Sequence, residues 1–323
     1  MPLARLAGLL LTLAASAPAG EIVGYVPGDP ASKATYDRFA SGFPSAPVAN
    51  TDPAFTGSGL DLSGVGWRVA DPRFGLTLIS PQHFVTAAHV GGFSAGQQVR
   101  FTAGDGTALT VTLANDGATG AVRQFRPTTT FVNGQGQTQT LPSDVLVVKL
   151  PAPIDPATGI RPLAVGSGTL LAGTPLLVYG QNPAYSPGPQ LGRNTLDTIE
   201  VASFDGPTPT TEATVVAGDD YTRTPPGDTA LIGGDSGSPL LVRQGNTAVT
   251  VGTHYGIEGD LAKPDLPYTS YSALLPAYLD QIQAFVAADG QALTVVPVPE
   301  PATVGLAAVA GLLGVRWVRR RAR

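Results

Sequence analysis

The sequence predicts an all-β fold closed by a C-terminal α-helix. Three observations carry this. Thirty prolines and 40 glycines among 323 residues punctuate the chain too often for long helices. Between them lie short runs rich in Val, Thr and Leu, which fit the pleated, half-buried surface of a strand. One stretch, Ser272 to Ala288, breaks the pattern: Leu275, Leu279, Ile282 and Val286 recur at i, i+4, i+7 and i+11, one face of a helix.

Taken in order, residues 1–19 read as a secretory signal peptide. Arg5 supplies the positive region, Leu6 to Ala15 the apolar region, and Ala17-Pro18-Ala19 a small-x-small cleavage site. Residues 20–60, rich in Pro, Gly, Ser and Asp, read as an irregular extension lying over the sheet that follows. Strands are expected at 63–69, 74–80 and 83–88, the last two joined by a Ser80-Pro81-Gln82 turn, then at 99–103, 108–113, 121–125 and 144–150. Pro151 to Leu163 is a connector. Further strands are expected at 170–179, 198–203, 211–217, 239–243 and 247–254, with a turn-rich loop over 183–192. In the helix, Pro276 suits the first turn and Asp289-Gly290 the stop. Residues 291–298 read as a linker.

Composition limits the function. With 43% hydrophobic and 13% charged residues the chain is no disordered polyelectrolyte and has material for a sizeable core. It has no cysteine, so an exported body must be held by packing without disulfides. Three dispersed histidines and no cysteine argue against a zinc site, no nucleotide-binding glycine loop is present, and no cofactor is expected. Without residues 1–19 and 299–323, which hold Arg5, Glu300 and five arginines, the body keeps 13 basic and 23 acidic residues, a net charge of −10. Such a body is not expected to bind nucleic acid.

Three stretches carry the chemistry: Thr86-Ala87-Ala88-His89, Ser143-Asp144-Val145-Leu146, and Gly233-Gly234-Asp235-Ser236-Gly237-Ser238-Pro239. A serine hydroxyl is a poor nucleophile unless a base lies within hydrogen-bond reach and a third group fixes the tautomer of that base. Only His83, His89 and His254 are available as bases. Asp144 opens the apolar run Val145 to Leu150, where a carboxylate is costly to bury unless a partner such as an imidazole N–H satisfies it. The glycines around Ser236 permit positive φ and close approach of the backbone.

The chain order His, Asp, Ser, with Gly-Asp-Ser-Gly around the serine, resembles the chymotrypsin/trypsin-like serine proteases. The resemblance implies two six-stranded antiparallel barrels, over 61–160 and 161–290, the second carrying the C-terminal helix. The separations, 55 positions from His89 to Asp144 and 92 from Asp144 to Ser236, suit that arrangement. It implies catalytic roles for Ser236 as nucleophile, His89 as general base and Asp144 as the group orienting it. The N–H groups of Gly234 and Ser236 are implied as the oxyanion hole.

For substrate binding, the family's pocket-floor position falls six before the serine, on Ala230, so cleavage after Lys or Arg is not supported. Val251-Gly252-Thr253-His254-Tyr255-Gly256 resembles a Gly-x-His segment of bacterial glutamyl endopeptidases. This makes His254 a candidate for binding an acidic side chain, although Leu231 stands where a hydroxyl is expected. His83 is read as a turn or strand-edge residue. Many animal relatives are activated when a new Ile-Val-Gly-Gly-like N-terminus pairs with the aspartate before the serine, here Asp235. Ile22-Val23-Gly24-Tyr25 resembles that segment, but Glu21 before it breaks the small-residue rule of signal cleavage. It also lies 67 positions before His89. No such switch is expected, and Asp235 should be satisfied locally.

At the other end, Val298-Pro299-Glu300-Pro301, a short apolar stretch and five terminal arginines resemble the PEP-CTERM sorting signal of Gram-negative bacteria. Residues 299–323 would then insert transiently in the membrane and meet an exosortase-type enzyme. The stretch is short beside the ~20 residues of a stable span. The functional expectation is an exported, secreted or envelope-associated serine endopeptidase acting on protein or peptide substrates. The competing readings are a catalytically silent surface or matrix binding protein on the same scaffold, and an esterase using the same three residues.

Overall fold

The computed structural model describes residues 21–132, 135–180, 188–202 and 212–298. The signal peptide, the sorting signal and residues 183–187 of the turn-rich loop lie outside them. The apolar runs form strands in two large sheets. The first contains β4 (Val65–Arg68), β5 (Gly75–Ser80), β6 (His83–Ala87), β7 (Gln98–Thr102), β8 (Ala108–Thr112), β9 (Gln124–Phe125) and β12 (Val145–Lys149), in the order β8-β7-β4-β5-β6-β12-β9. The hairpin β10 (Thr128–Val132) and β11 (Thr138–Pro142) precedes β12.

The second sheet contains β13 (Ala164–Ser167), β14 (Pro175–Gly180), β15 (Gln190–Thr195), β16 (Thr198–Ala202), β17 (Thr214–Asp220), β19 (Pro239–Gln244), β20 (Thr247–Glu258), β21 (Thr269–Leu274) and β22 (Val295–Pro297). Its path is β15-β14-β19-β20-β21-β17-β16, with β13 lying between β20 and β22. Each sheet surrounds its own apolar cluster, one around Leu78, Phe84, Phe101 and Val148, the other around Val178, Leu240, Val249 and Val251. This is the two-barrel, chymotrypsin-like architecture. Short edge strands such as β9 and β22 raise the strand counts to seven and nine, above the six of the expectation.

The continuous apolar runs have a physical reason. Side chains alternate between the faces of a strand. In β5, β6 and β12, Leu78, Phe84 and Val148 point into the first core, while Ile79, Val85 and Val147 point into a third cluster. That cluster is shared with Val216, Ala273, Tyr278 and Ile282 of the second half. These strands are buried on both faces because the barrels are glued through them.

Three local differences stand out. The helix is shorter than the expected span of Ser272 to Ala288. Ser272 to Leu274 stay in β21, paired with β17, and a single turn at Leu275–Tyr278 leads into α2 (Leu279–Ala287). The periodic residues begin only at Leu275, and the sheet keeps the residues before them. The extension is not irregular throughout. It holds β1 (Glu21–Ile22), α1 (Pro30–Tyr36), β2 (Phe39–Ser41) and β3 (Val48–Ala49). The start of α1 was legible: the Asp29 carboxylate accepts the Ser32 N–H at 2.8 Å, and Pro30 takes the first helical position. Nor does the extension cover only the first barrel. Here β1 pairs with β18 (Thr229–Ala230), and Phe55 joins Tyr179 and Leu191 of the second barrel. Among the described residues no helix is long and apolar enough to cross a membrane.

Candidate active site

Strand register assembles the site. Val145 of β12 pairs with Ala87 of β6, so the next residue on each strand meets its counterpart. The Ala88 N–H donates to the Asp144 carbonyl at 2.6 Å, and a single turn at Ala88–Val90 swings His89 round the end of the sheet. The His89 N–H donates to Asp144 Oδ1 at 2.7 Å, and Nδ1 meets Oδ2 at 2.7 Å. A carboxylate only accepts, so Nδ1 carries the proton and Nε2 is left as an acceptor. The Ser236 hydroxyl lies 2.8 Å from that Nε2. Asp144 is fully buried, whereas the His89 side chain is 36% exposed, so the carboxylate is shielded and the base remains reachable.

Burial works against a charged imidazole at His89. The Asp144 hydrogen bond and charge, with Glu212, outweigh it and hold the pKa above the usual 6.5. From the second barrel, the Thr214 hydroxyl accepts the Asp144 N–H at 2.9 Å. The Tyr255 ring stands edge-on to the His89 ring, with centroids 6.4 Å apart. Thr214, Glu212 and Tyr255 carry no sequence signal, because tertiary approach alone brings them here.

Ser236 lies in the turn before β19, stitched to both barrels. The Gly237 N–H donates to the His254 carbonyl at 3.1 Å, and the Gly75 N–H donates to the Ser236 carbonyl at 3.2 Å. Gly237 is required. Its φ is +80°, and a Cβ there would stand 2.2 Å from Thr86 Oγ1. Gly234 has φ +113°, and no backbone acceptor among the described residues takes its N–H or that of Ser236. Both amides are therefore free for an external oxygen. Asp235 accepts the Ile232 N–H at 2.9 Å, a local partner. Ile22 ends β1, paired with Thr229.

The other candidates are placed differently. Ala230 is fully buried, paired with Glu21, and absent from the cavity beside Ser236, which Leu231 and Ile232 line instead. His254 borders that cavity, but its nitrogens are engaged: Nε2 donates to the Tyr179 carbonyl and Nδ1 accepts from Ser272 Oγ, each at 2.9 Å. Burial lowers its pKa to about 3, so the ring is neutral. His83 is no edge residue. It is fully buried in β6, with Nδ1 at 2.8 Å from Ser80 Oγ and Nε2 at 2.9 Å from Asp289. In this second Ser-His-Asp chain Ser80 and His83 are buried, and Asp289 at its rim also binds Arg123 and Lys149, each at 2.6 Å. It ties the end of α2 to the first barrel. Among the described residues no cluster is suited to hold a metal ion.

An exposed histidine between a buried aspartate and a serine, at the seam of two β-barrels, defines the class. The trypsin family model matches residues 67–273, and the chain belongs to the trypsin family. The PEP-CTERM protein-sorting motif matches residues 297–321 and implies export, sorting to the cell envelope of a Gram-negative bacterium and recognition by an exosortase-type enzyme. No curated protein matches the chain.

Proposed function

We propose that this trypsin-family chain is an active serine endopeptidase. Ser236 Oγ attacks the carbonyl of the cleaved peptide bond while His89 Nε2 takes its proton. The oxyanion settles between the N–H groups of Gly234 and Ser236, each such donor contributing roughly 3–4 kcal/mol. Asp144 holds the tautomer and stabilises the imidazolium. His89 then protonates the leaving amine, and water, deprotonated by the same ring, releases the acyl group. The observation that carries this reading is the unbroken chain from buried Asp144 through His89 to Ser236 Oγ, at 2.7 and 2.8 Å. Residues 299–323 serve as a transient membrane insert for the sorting enzyme.

The test is labelling by a fluorophosphonate probe, which reacts only with an activated serine. The protein should label, while Ser236→Ala and His89→Ala should not. A folded protein that resists the probe would favour the binding-scaffold reading. Turnover of simple esters without peptides would favour the esterase.

A further inference from the structure

The cavity beside Ser236 has a volume of ≈ 160 Å³ and is lined by Leu231, Ile232, Tyr255, Gly256 and Ile257, with Asp235 and His254 as its polar members. A cavity of about 150 Å³ lined by aliphatic and aromatic groups accepts benzene and stays dry. The space next to the serine is therefore the size of one phenyl ring.

The charges nearest this cavity are committed elsewhere. Asp228 is buried, and its Oδ2 accepts the N–H and hydroxyl of Thr222 and the N–H of Arg223 at 2.7–3.0 Å. It borders a different cavity, lined by Arg193, Asn194 and Thr222. Asp235 is 1% exposed and holds the Ile232 N–H. His254 is neutral, its Nε2–H spent on Tyr179 and its Nδ1 on Ser272. Leu231 is pinned at both main-chain ends, its N–H on Ser270 Oγ at 3.0 Å and its carbonyl on the Tyr268 hydroxyl. A Lys or Glu side chain entering here would lose its water and meet only a neutral His254 and an Asp235 already holding the Ile232 N–H.

We propose that this pocket selects substrates with an apolar side chain, up to the size of a phenyl ring, immediately before the cleaved bond: Leu, Met or Phe, and not Lys, Arg or Glu. The proposal rests on Ser236 being the nucleophile. Tyr255 is an extra residue in β20, where the pairing with β21 shifts register between His254 and Gly256. Such a bulge re-aims its side chain, here into the cluster shared by the two barrels and edge-on to His89, beside the pocket.

Peptide substrates differing only at that position would test this, with kcat/KM as the readout and fluorophosphonate labelling run beside them. Leu, Met and Phe should exceed Ala at least tenfold and exceed Lys, Arg and Glu about a hundredfold. Leu231→Ala should widen the pocket and move the preference towards Trp and Phe. A protein that labels yet prefers Lys, Arg or Glu, shows no preference, or cleaves none of the peptides overturns the pocket assignment while leaving the nucleophile standing. A folded protein that does not label removes the nucleophile, and the proposal with it.

Discussion

Replacing His254 with Gln removes a group that the fold forbids from taking a proton. Burial is the main cause of its low pKa, partly offset by the hydrogen bond to the Tyr179 carbonyl, and the result is about 3 against 6.5 in the unfolded chain. Because the native value is the lower one, the unfolded state binds a proton between these limits that the native state does not. Stability therefore falls as the pH drops below about 6.5. At 1.36 kcal/mol per unit, the loss from this residue is about 2 kcal/mol at pH 5 and about 3 kcal/mol at pH 4. The glutamine amide keeps a donor for the Tyr179 carbonyl but does not titrate. Urea unfolding at pH 7.5, 6 and 5, followed by the fluorescence of buried Trp67, gives both curves. The variant should be the less stable at pH 7.5, because Ser272 loses its acceptor, and should recover about 2 kcal/mol relative to the parent by pH 5. Other titrating groups are common to both proteins and cancel in the difference. Parallel curves would refute the sealed, neutral His254 and weaken the case for an apolar pocket in front of it.

Asp144→Asn should lower kcat by about 10⁴, since the amide can favour the wrong tautomer. Activity requires neutral His89, so the acid limb of kcat/KM should lie above 6.5 in the parent, where Asp144 raises the pKa, and drop below it in the variant, where burial prevails. Asp289→Ala should cost about 1–3 kcal/mol in urea unfolding by leaving the N–H of buried, neutral His83 without its acceptor, while Lys149→Gln, whose ammonium reaches solvent, should cost under about 1 kcal/mol. Gly237→Ala should abolish fluorophosphonate labelling, because the new methyl group meets Thr86 Oγ1 and the Gly75 carbonyl and displaces Ser236; unchanged labelling would mean the turn has more room than its geometry indicates.

The sequence by itself determined what is local. Alternating and continuous apolar runs set the strands, and the unpaired cost of a buried carboxylate singled out Asp144. Glycine punctuation around Ser236 marked a turn that only small residues can make, and three histidines left a short list of bases. Asp29-Pro30, a cap followed by a residue with a preset φ, is the same kind of local signal, and reading residues 20–60 as irregular passed over it. Tertiary structure decided the rest, because it depends on which surfaces meet. Ser272 to Leu274 fall within the expected helical span yet pair as strand, since β17 and β20 offer them main-chain partners. His83 and His254 look alike as isolated residues in apolar surroundings. One closes a buried contact with Asp289, 206 positions away, and the other turns its donor to Tyr179, 75 positions away. Counting back from the serine pointed to Ala230 as the pocket floor, but pairing with Glu21 keeps that residue in a strand and leaves Leu231 at the wall. Hydrogen-bond partners and pocket walls are set by residues distant along the chain, and no local pattern records where those residues come to rest.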